Sequence, residues 1–300
     1  MSILVVGSVA LDSIKTPFGK RKDILGGSAT FFSIAASFFD KVNIVAAVGE
    51  DFPKKYLGVL KGKGIGLGGL EIKKDAKTFR WSGEYNYDLN TAHTIATHLN
   101  VFKNFDPKVP TSLRKPKVLF LANIDPDLQL SVLKQVSRPK IVACDSMNYW
   151  IETKRKSLMR LLKDIDIFLL NDGEARLLTG EANLLKAAQK VLSYGPKAVI
   201  VKKGEHGVIY FSRTSHFISP AYLLETVRDP TGAGDTFAGG MIGYLSTVKD
   251  ISNLAICRGI VYGSILASFT VEDFSINRLA KISMSDIRRR YEHFKKITRF

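Results

Sequence analysis

A doubly wound, mostly parallel α/β sheet flanked by helices is the fold this sequence predicts, and three observations predict it. Apolar runs of strand length alternate with segments of helical period from end to end. The chain has 300 residues, 45% hydrophobic and 10% aromatic, which excludes a disordered or collagen-like chain and supplies a well-buried interior. No linker rich in Pro, Gly or Ser divides it, so a single domain over 1–300 is expected.

The first strand is expected over 2–7, where Ile3-Leu4-Val5-Val6 ends at Gly7 with no basic stretch ahead of it. That start, and the lack of an uninterrupted apolar run of about 18 residues, predict a cytoplasmic protein without a membrane span. Behind Gly26 and Gly27, Phe31, Ile34, Ala35 and Phe38 recur at i, i+3, i+4 and i+7, a small-residue loop entering a helix. Further strands are expected over 43–48, 117–121, 140–144, 166–170 and 198–202, the signature of βαβ units. Gly64-Ile65-Gly66-Leu67-Gly68-Gly69 fits G-x-G-x-x-G but follows a Lys-rich helical segment and precedes no helix, so it reads as a flexible connection. Residues 78–81 and 84–87 alternate with period two, as strands of an inserted hairpin; segments near 12–22 and 75–101 are expected to form a small β lid over the carboxyl ends of the main strands. His93 and His98, five apart, share neither a helix face nor a strand face and suggest no metal site.

Lys and Arg number 44 against 28 Asp and Glu, a net charge of +16 that suits nucleic acid, a membrane surface or an anionic substrate. Eight basic residues fall in 278–300 against Asp286 and Glu292, but Ile287, Tyr291 and Phe294 recur at helical spacing. The segment therefore reads as a surface helix docked by its apolar face, and no nucleic-acid partner is expected. Cys144 and Cys257 lie far apart without metal-ligand spacing, which supports neither a disulfide framework nor a zinc site.

The chemistry concentrates in Asp229-Pro230-Thr231-Gly232-Ala233-Gly234-Asp235-Thr236-Phe237, which precedes Met241, Tyr244 and Leu245 at helical spacing. Small residues at Gly232, Ala233 and Gly234 let a phosphate approach the backbone N–H groups at the positive end of a helix. A carboxylate at Asp235 beside that anion suits removal of a proton from an attacking hydroxyl; the simpler account is an acid favouring the helix dipole. No G-x-x-x-x-G-K-[ST] run exists, so a Walker-type kinase is excluded.

This run resembles the carboxyl-terminal signature of the ribokinase-like (PfkB) carbohydrate kinases, and other segments match in the family's order. Val6-Gly7-Ser8-Val9-Ala10-Leu11-Asp12 looks like the opening strand with its substrate-binding Asp, and Leu25-Gly26-Gly27-Ser28-Ala29 is similar to the Gly-Gly substrate loop. Asn171-Asp172-Gly173-Glu174 is similar to the Asn-x-x-Glu motif, and Lys203-Gly204-Glu205-His206-Gly207 to the nucleotide-side loop. The resemblance implies a ribokinase-like fold and transfer of the terminal phosphoryl of ATP to a hydroxymethyl group of a sugar or sugar-like acceptor, a nucleoside being the alternative. It implies Asp235 as the base, Gly232, Ala233 and Gly234 as the anion hole, and Asp12, Gly26 and Gly27 as acceptor contacts. Asn171, Lys203, Gly204, Gly207 and Thr231 would bind the nucleotide, and Glu174 would hold Mg²⁺ through water. On spacing alone, Asn171 and Glu174 form a helix cap.

The family usually carries Asn where this chain has Phe31. Either the acceptor is less polar at that point, with Phe31 lining the pocket as a flat apolar ring, or another side chain such as Asn123 or Asn148 supplies the contact. The family's monovalent-cation site does not transfer cleanly onto 268–272, so the need for that ion stays open. The expected partner is a small molecule, with neither nucleic acid nor membrane, and the expected assembly is a homodimer through the lid. A fold retained for binding without catalysis and a nucleic-acid-binding protein are the rival classes.

Overall fold

In the computed structural model, which describes residues 2–299, the chain alternates between a large sheet and a small one. Strand β1 (Ile3–Val6) leads into the hairpin β2 (Ala10–Thr16) and β3 (Gly19–Gly26), and α1 (Ser28–Ala36) returns to β4 (Val42–Gly49), α2 (Lys54–Gly62) and β5 (Gly66–Lys73). A second excursion forms β6 (Arg80–Tyr85) and β7 (Ala92–His98). Successive βα units follow: β8 (Val118–Leu121), α3 (Pro126–Gln135), β9 (Ile141–Asp145), α4 (Asn148–Thr153), α5 (Arg155–Leu161), β10 (Ile167–Asn171), α6 (Asp172–Thr179), α7 (Leu184–Ser193) and β11 (Ala198–Lys202). The edge hairpin β12 (Val208–Ser212) and β13 (His216–Ser219) precedes α8 (Ala233–Thr247), α9 (Asn253–Thr270) and α10 (Met284–Ile297).

The large sheet has the order β13-β12-β11-β10-β9-β8-β1-β4-β5, parallel from β11 to β5, with β12 and β13 antiparallel at one edge. All six predicted strands are among its parallel members. They are legible because both faces are covered: one core joins the sheet to α1, α8, α9 and α10 through Phe31, Met241, Ile260 and Ile287, and the other joins it to α3, α5, α6 and α7 through Val132, Leu158, Leu178 and Val191. Helix α9 is long and apolar enough to cross a bilayer, but most of it is buried against its neighbours. It approaches α8 so closely that a Cβ on Gly263 would stand 2.7 Å from the Phe237 carbonyl oxygen. The basic tail is the helix the spacing predicts, docked through Ile287 and Phe294.

Two expectations are corrected. Residues 66–69, read as a flexible connection, open the edge strand β5, whose polar, Gly-rich sequence hides it from a search for apolar runs. The inserted hairpin pairs one strand over 80–85 with another over 92–98, rather than 78–81 with 84–87; a register shift at Ser82/Gly83 breaks the period that the sequence shows.

The small sheet has the order β3-β2-β6-β7 and stands at the carboxyl ends of the large sheet's strands. Arg80 pairs with Asp23 within this sheet and ties it to the main body by donating to Asp51 Oδ2 at 2.7 Å. Asp51 Oδ1 in turn accepts from the Thr78 N–H and hydroxyl, both at 2.7 Å.

Candidate active site

The carboxyl ends of β1, β8, β9, β10 and β11 lie at one edge of the parallel sheet, and the first turn of α8 sets Asp235 near Asp145 and Lys202 at that edge, the candidate cleft. Gly232 caps that helix at φ 77°, a left-handed turn that L side chains rarely adopt. Asp229 prepares the turn: fully buried, it accepts from the Thr231 N–H at 2.9 Å and from the Ser275 N–H at 3.3 Å. The result is a run of small residues at a helix start, with Asp235 in the first turn. Burial pushes the Asp235 carboxyl up to about 6, with the Lys202 ammonium partly offsetting it. A carboxylate held there ionises just below neutral pH, which suits a base that must gain and lose a proton in turnover.

Phe31 is placed differently from the expectation. It is 1% exposed, and a side chain on Gly232 would collide with its ring, so Phe31 supports the turn from below and offers no face to a ligand. Phe32 is buried too, stacked on Phe120 with ring centroids 4.2 Å apart. Adjacent helical residues both reach apolar surroundings here because α1 lies between the sheet and α8.

Asp12, in β2, is 5% exposed and within reach of the charges of Asp229 and Asp235. Its carboxyl lies where a side chain on Gly26 would have to be, and it accepts from the Gly27 N–H. Burial, together with the Asp229 and Asp235 charges and against that N–H, pushes it up to about 7. Ser8 and Ser28 lock the adjoining helix start: the Ser28 N–H donates to Ser8 Oγ at 3.0 Å and the Ser8 N–H to Ser28 Oγ at 3.1 Å. Asn123 follows β8 at the same end, but its Oδ1 already accepts from Trp150 Nε1 at 2.9 Å.

Asn171 and Glu174 form a reciprocal capping box at the start of α6, each backbone N–H donating to the other's side chain at 2.7 Å. Glu174 is raised by burial, against the pull of Lys202 and the Asn171 N–H. The turn over 203–207 connects β11 to β12; the Lys203 N–H donates to the Gly207 carbonyl at 2.8 Å, and Gly204 and Gly207 both have positive φ. Thr231 Oγ1 donates to Tyr85 Oη at 3.2 Å.

Three residues of the cleft carry no signal in the sequence motifs. Asp145 ends β9, 3% exposed, with its Oδ1 unpartnered, and burial holds its carboxyl well above the usual range. Lys202 ends β11 and lies among Asp145, Glu174 and Asp235. Tyr85 reaches in from the small sheet; burial pushes its hydroxyl up to about 12, so it stays protonated. The available sign was position alone, each standing at the carboxyl end of a strand. Among the described residues, no group of three His, Cys, Asp or Glu side chains converges to hold a metal directly. The carboxylates of Asp145 and Glu174 instead suit an ion that keeps part of its water shell.

Against known proteins, the profile of a family described as pfkB family carbohydrate kinase matches residues 4–277. The cytidine kinase of Thermococcus kodakarensis is 29% identical over 246 residues, 81% of this chain and 87% of that one. Among solved structures, the nucleoside kinase of Burkholderia thailandensis in complex with inosine superposes with a TM-score of 0.80 at 19% identity, over 97% of both chains. The ribokinase of Cryptococcus neoformans in complex with ADP gives a TM-score of 0.79 at 22% identity, over 97% of this chain and 99% of that one.

Proposed function

The chain belongs to the pfkB family of carbohydrate kinases, and from that premise we propose how its own residues carry phosphoryl transfer from ATP to an alcohol. The observation that supports the reading most is the buried Asp12 within reach of the charge of Asp235, which stands in the first turn behind Gly232–Gly234. Asp12 and the Gly26-Gly27 loop hold the acceptor by taking hydrogen bonds from its hydroxyls. Asp235 accepts the proton of the attacking hydroxyl as the new oxygen–phosphorus bond forms and the bond to the bridging oxygen of ADP breaks. The backbone N–H groups at 232–234 donate to the phosphoryl oxygens. Mg²⁺, arriving with the nucleotide, would supply neutralising charge; Glu174 would hold it through water, and the unpartnered oxygen of Asp145 fits the same shell. Thr231 and the turn at Lys203, Gly204 and Gly207 hold the nucleotide.

The acceptor we propose is a sugar-like molecule bearing a hydroxymethyl group. A nucleoside is the second reading, favoured by the likeness to a cytidine kinase over most of both chains. ADP release with Mg²⁺ and ATP over ribose, fructose, cytidine and inosine tests both. Turnover with no member of the panel, against a working control kinase, refutes the reading. The dependence on ATP fits action in the cytoplasm. Pairing of two copies through the small sheet, which exposes Phe18, Tyr87 and Ile95, is tested by light scattering.

A further inference from the structure

Lys202 is in register with Asn171 of β10, and its ammonium lies 3.0 Å from where a Cβ on Gly234 would stand. It therefore hangs over the loop that opens α8. Asp145, Glu174 and Asp235 are all within reach of its charge, yet among the described residues it forms no ion pair as short as 4.0 Å. An ammonium has three donors, and a half-buried one with no close partner leaves them underused. An anion seated on that loop would satisfy them.

We infer that Lys202 binds the terminal phosphoryl group of the nucleotide, donating to its oxygens over Gly234 while Asp235 takes the acceptor's proton. A compact charge on a flexible stem suits this position, because it can follow phosphorus from the donor oxygen to the acceptor oxygen. When no phosphate is present, the same charge moderates the three surrounding carboxyls. The backbone alone cannot serve both ends of that path, since its N–H groups are fixed by the helix start.

The inference rests on the kinase reading, and the experiment separates the two. Binding of ATP, ADP and AMP to the full chain with Mg²⁺ and no acceptor is measured by calorimetry for the parent, K202M and K202R. Loss of a charge-assisted contact to the terminal phosphate lowers ATP affinity in K202M by roughly 10- to 100-fold, leaves AMP within about threefold, and is largely restored in K202R. kcat should fall in K202M by more than KM for the acceptor rises. A parent that binds no ATP and phosphorylates no acceptor refutes the kinase reading itself. A working parent whose K202M variant keeps the parental ratio of ATP to AMP affinity, or loses both nucleotides equally, refutes the role of Lys202 alone. Should K202M melt below the assay temperature, K202Q, which keeps a donor without the charge, carries the same comparison.

Discussion

Asp235 and Asp12 have raised carboxyl pKa values for the same first reason, burial, and the consequences can be read separately. Asp235→Asn should lower kcat by roughly 10²- to 10⁴-fold while ATP still binds, because only the proton acceptor is removed. With Asp235 near 6 and Asp12 near 7, kcat should rise with pH through about 6, and acceptor affinity should improve up to about 7, where Asp12 becomes a full hydrogen-bond acceptor. The stability sign is the reverse of that for a salt-bridged acid. The folded protein holds a proton on Asp235 that the unfolded chain releases near 3.8, so stability falls as pH rises from 3.8 to about 6. Asp235→Asn should then be more stable than the parent at pH 8, by about 3 kcal/mol, and lose that advantage near pH 3.5; denaturant melts at the two pH values check it. Phe31 leads to a different expectation from the one its sequence position suggests. Buried beneath Gly232, it should cost about 3 kcal/mol as Phe31→Asn through lost packing and a buried amide, with the order of preferred acceptors unchanged. A thermal melt beside an acceptor panel distinguishes this from a change in specificity.

At the scale of elements, the start of α6 serves two purposes with one side chain. Glu174 caps the helix and stands among the cleft carboxyls, so Glu174→Gln, which can still accept from the Asn171 N–H, should cost under about 1 kcal/mol of stability. It should nonetheless raise the Mg²⁺ needed for half-maximal rate about tenfold. An unchanged Mg²⁺ curve would leave the cap as its whole function. The six interior strands were legible because strands covered on both faces read as continuous apolar runs, as Ile3–Val6 does. β5 and the strand bounds of the inserted hairpin were obscured by the opposite circumstance: Gly66–Lys73 is an edge strand, and Ala92–His98 is largely exposed, so neither needs an apolar run. The loop before α8 could be recognised from Gly232 to Asp235 because small residues and an acid must be consecutive there. Lys202, Asp145 and Tyr85 meet only in three dimensions, each contributed by a different strand, and no spacing relates them.

For the whole molecule, a net charge of +16 contrasts with a site that is locally acidic, where Asp12, Asp145, Glu174, Asp229 and Asp235 are within reach of one another's charges. The general field draws in a polyanion, while the local carboxylates leave it dependent on the cations it carries. KM for ATP should accordingly rise several-fold between about 50 and 200 mM salt at saturating Mg²⁺, with kcat little changed. The final feature is the hairpin formed by β6 and β7. Tyr85 touches the phosphate loop through Thr231, and beyond it Asn90 Nδ2 donates to Glu205 Oε1 at 3.2 Å, on the turn after β11. One ribbon thus contacts both the loop before α8 and the turn after β11, and the expectation is that ligands pass only when it lifts. Chemistry and egress are then separate clocks. If egress is the slower, kcat should fall in proportion to added solvent viscosity, and Asn90→Ala, which loosens the far mooring, should flatten that dependence without altering the rate of a single enclosed turnover.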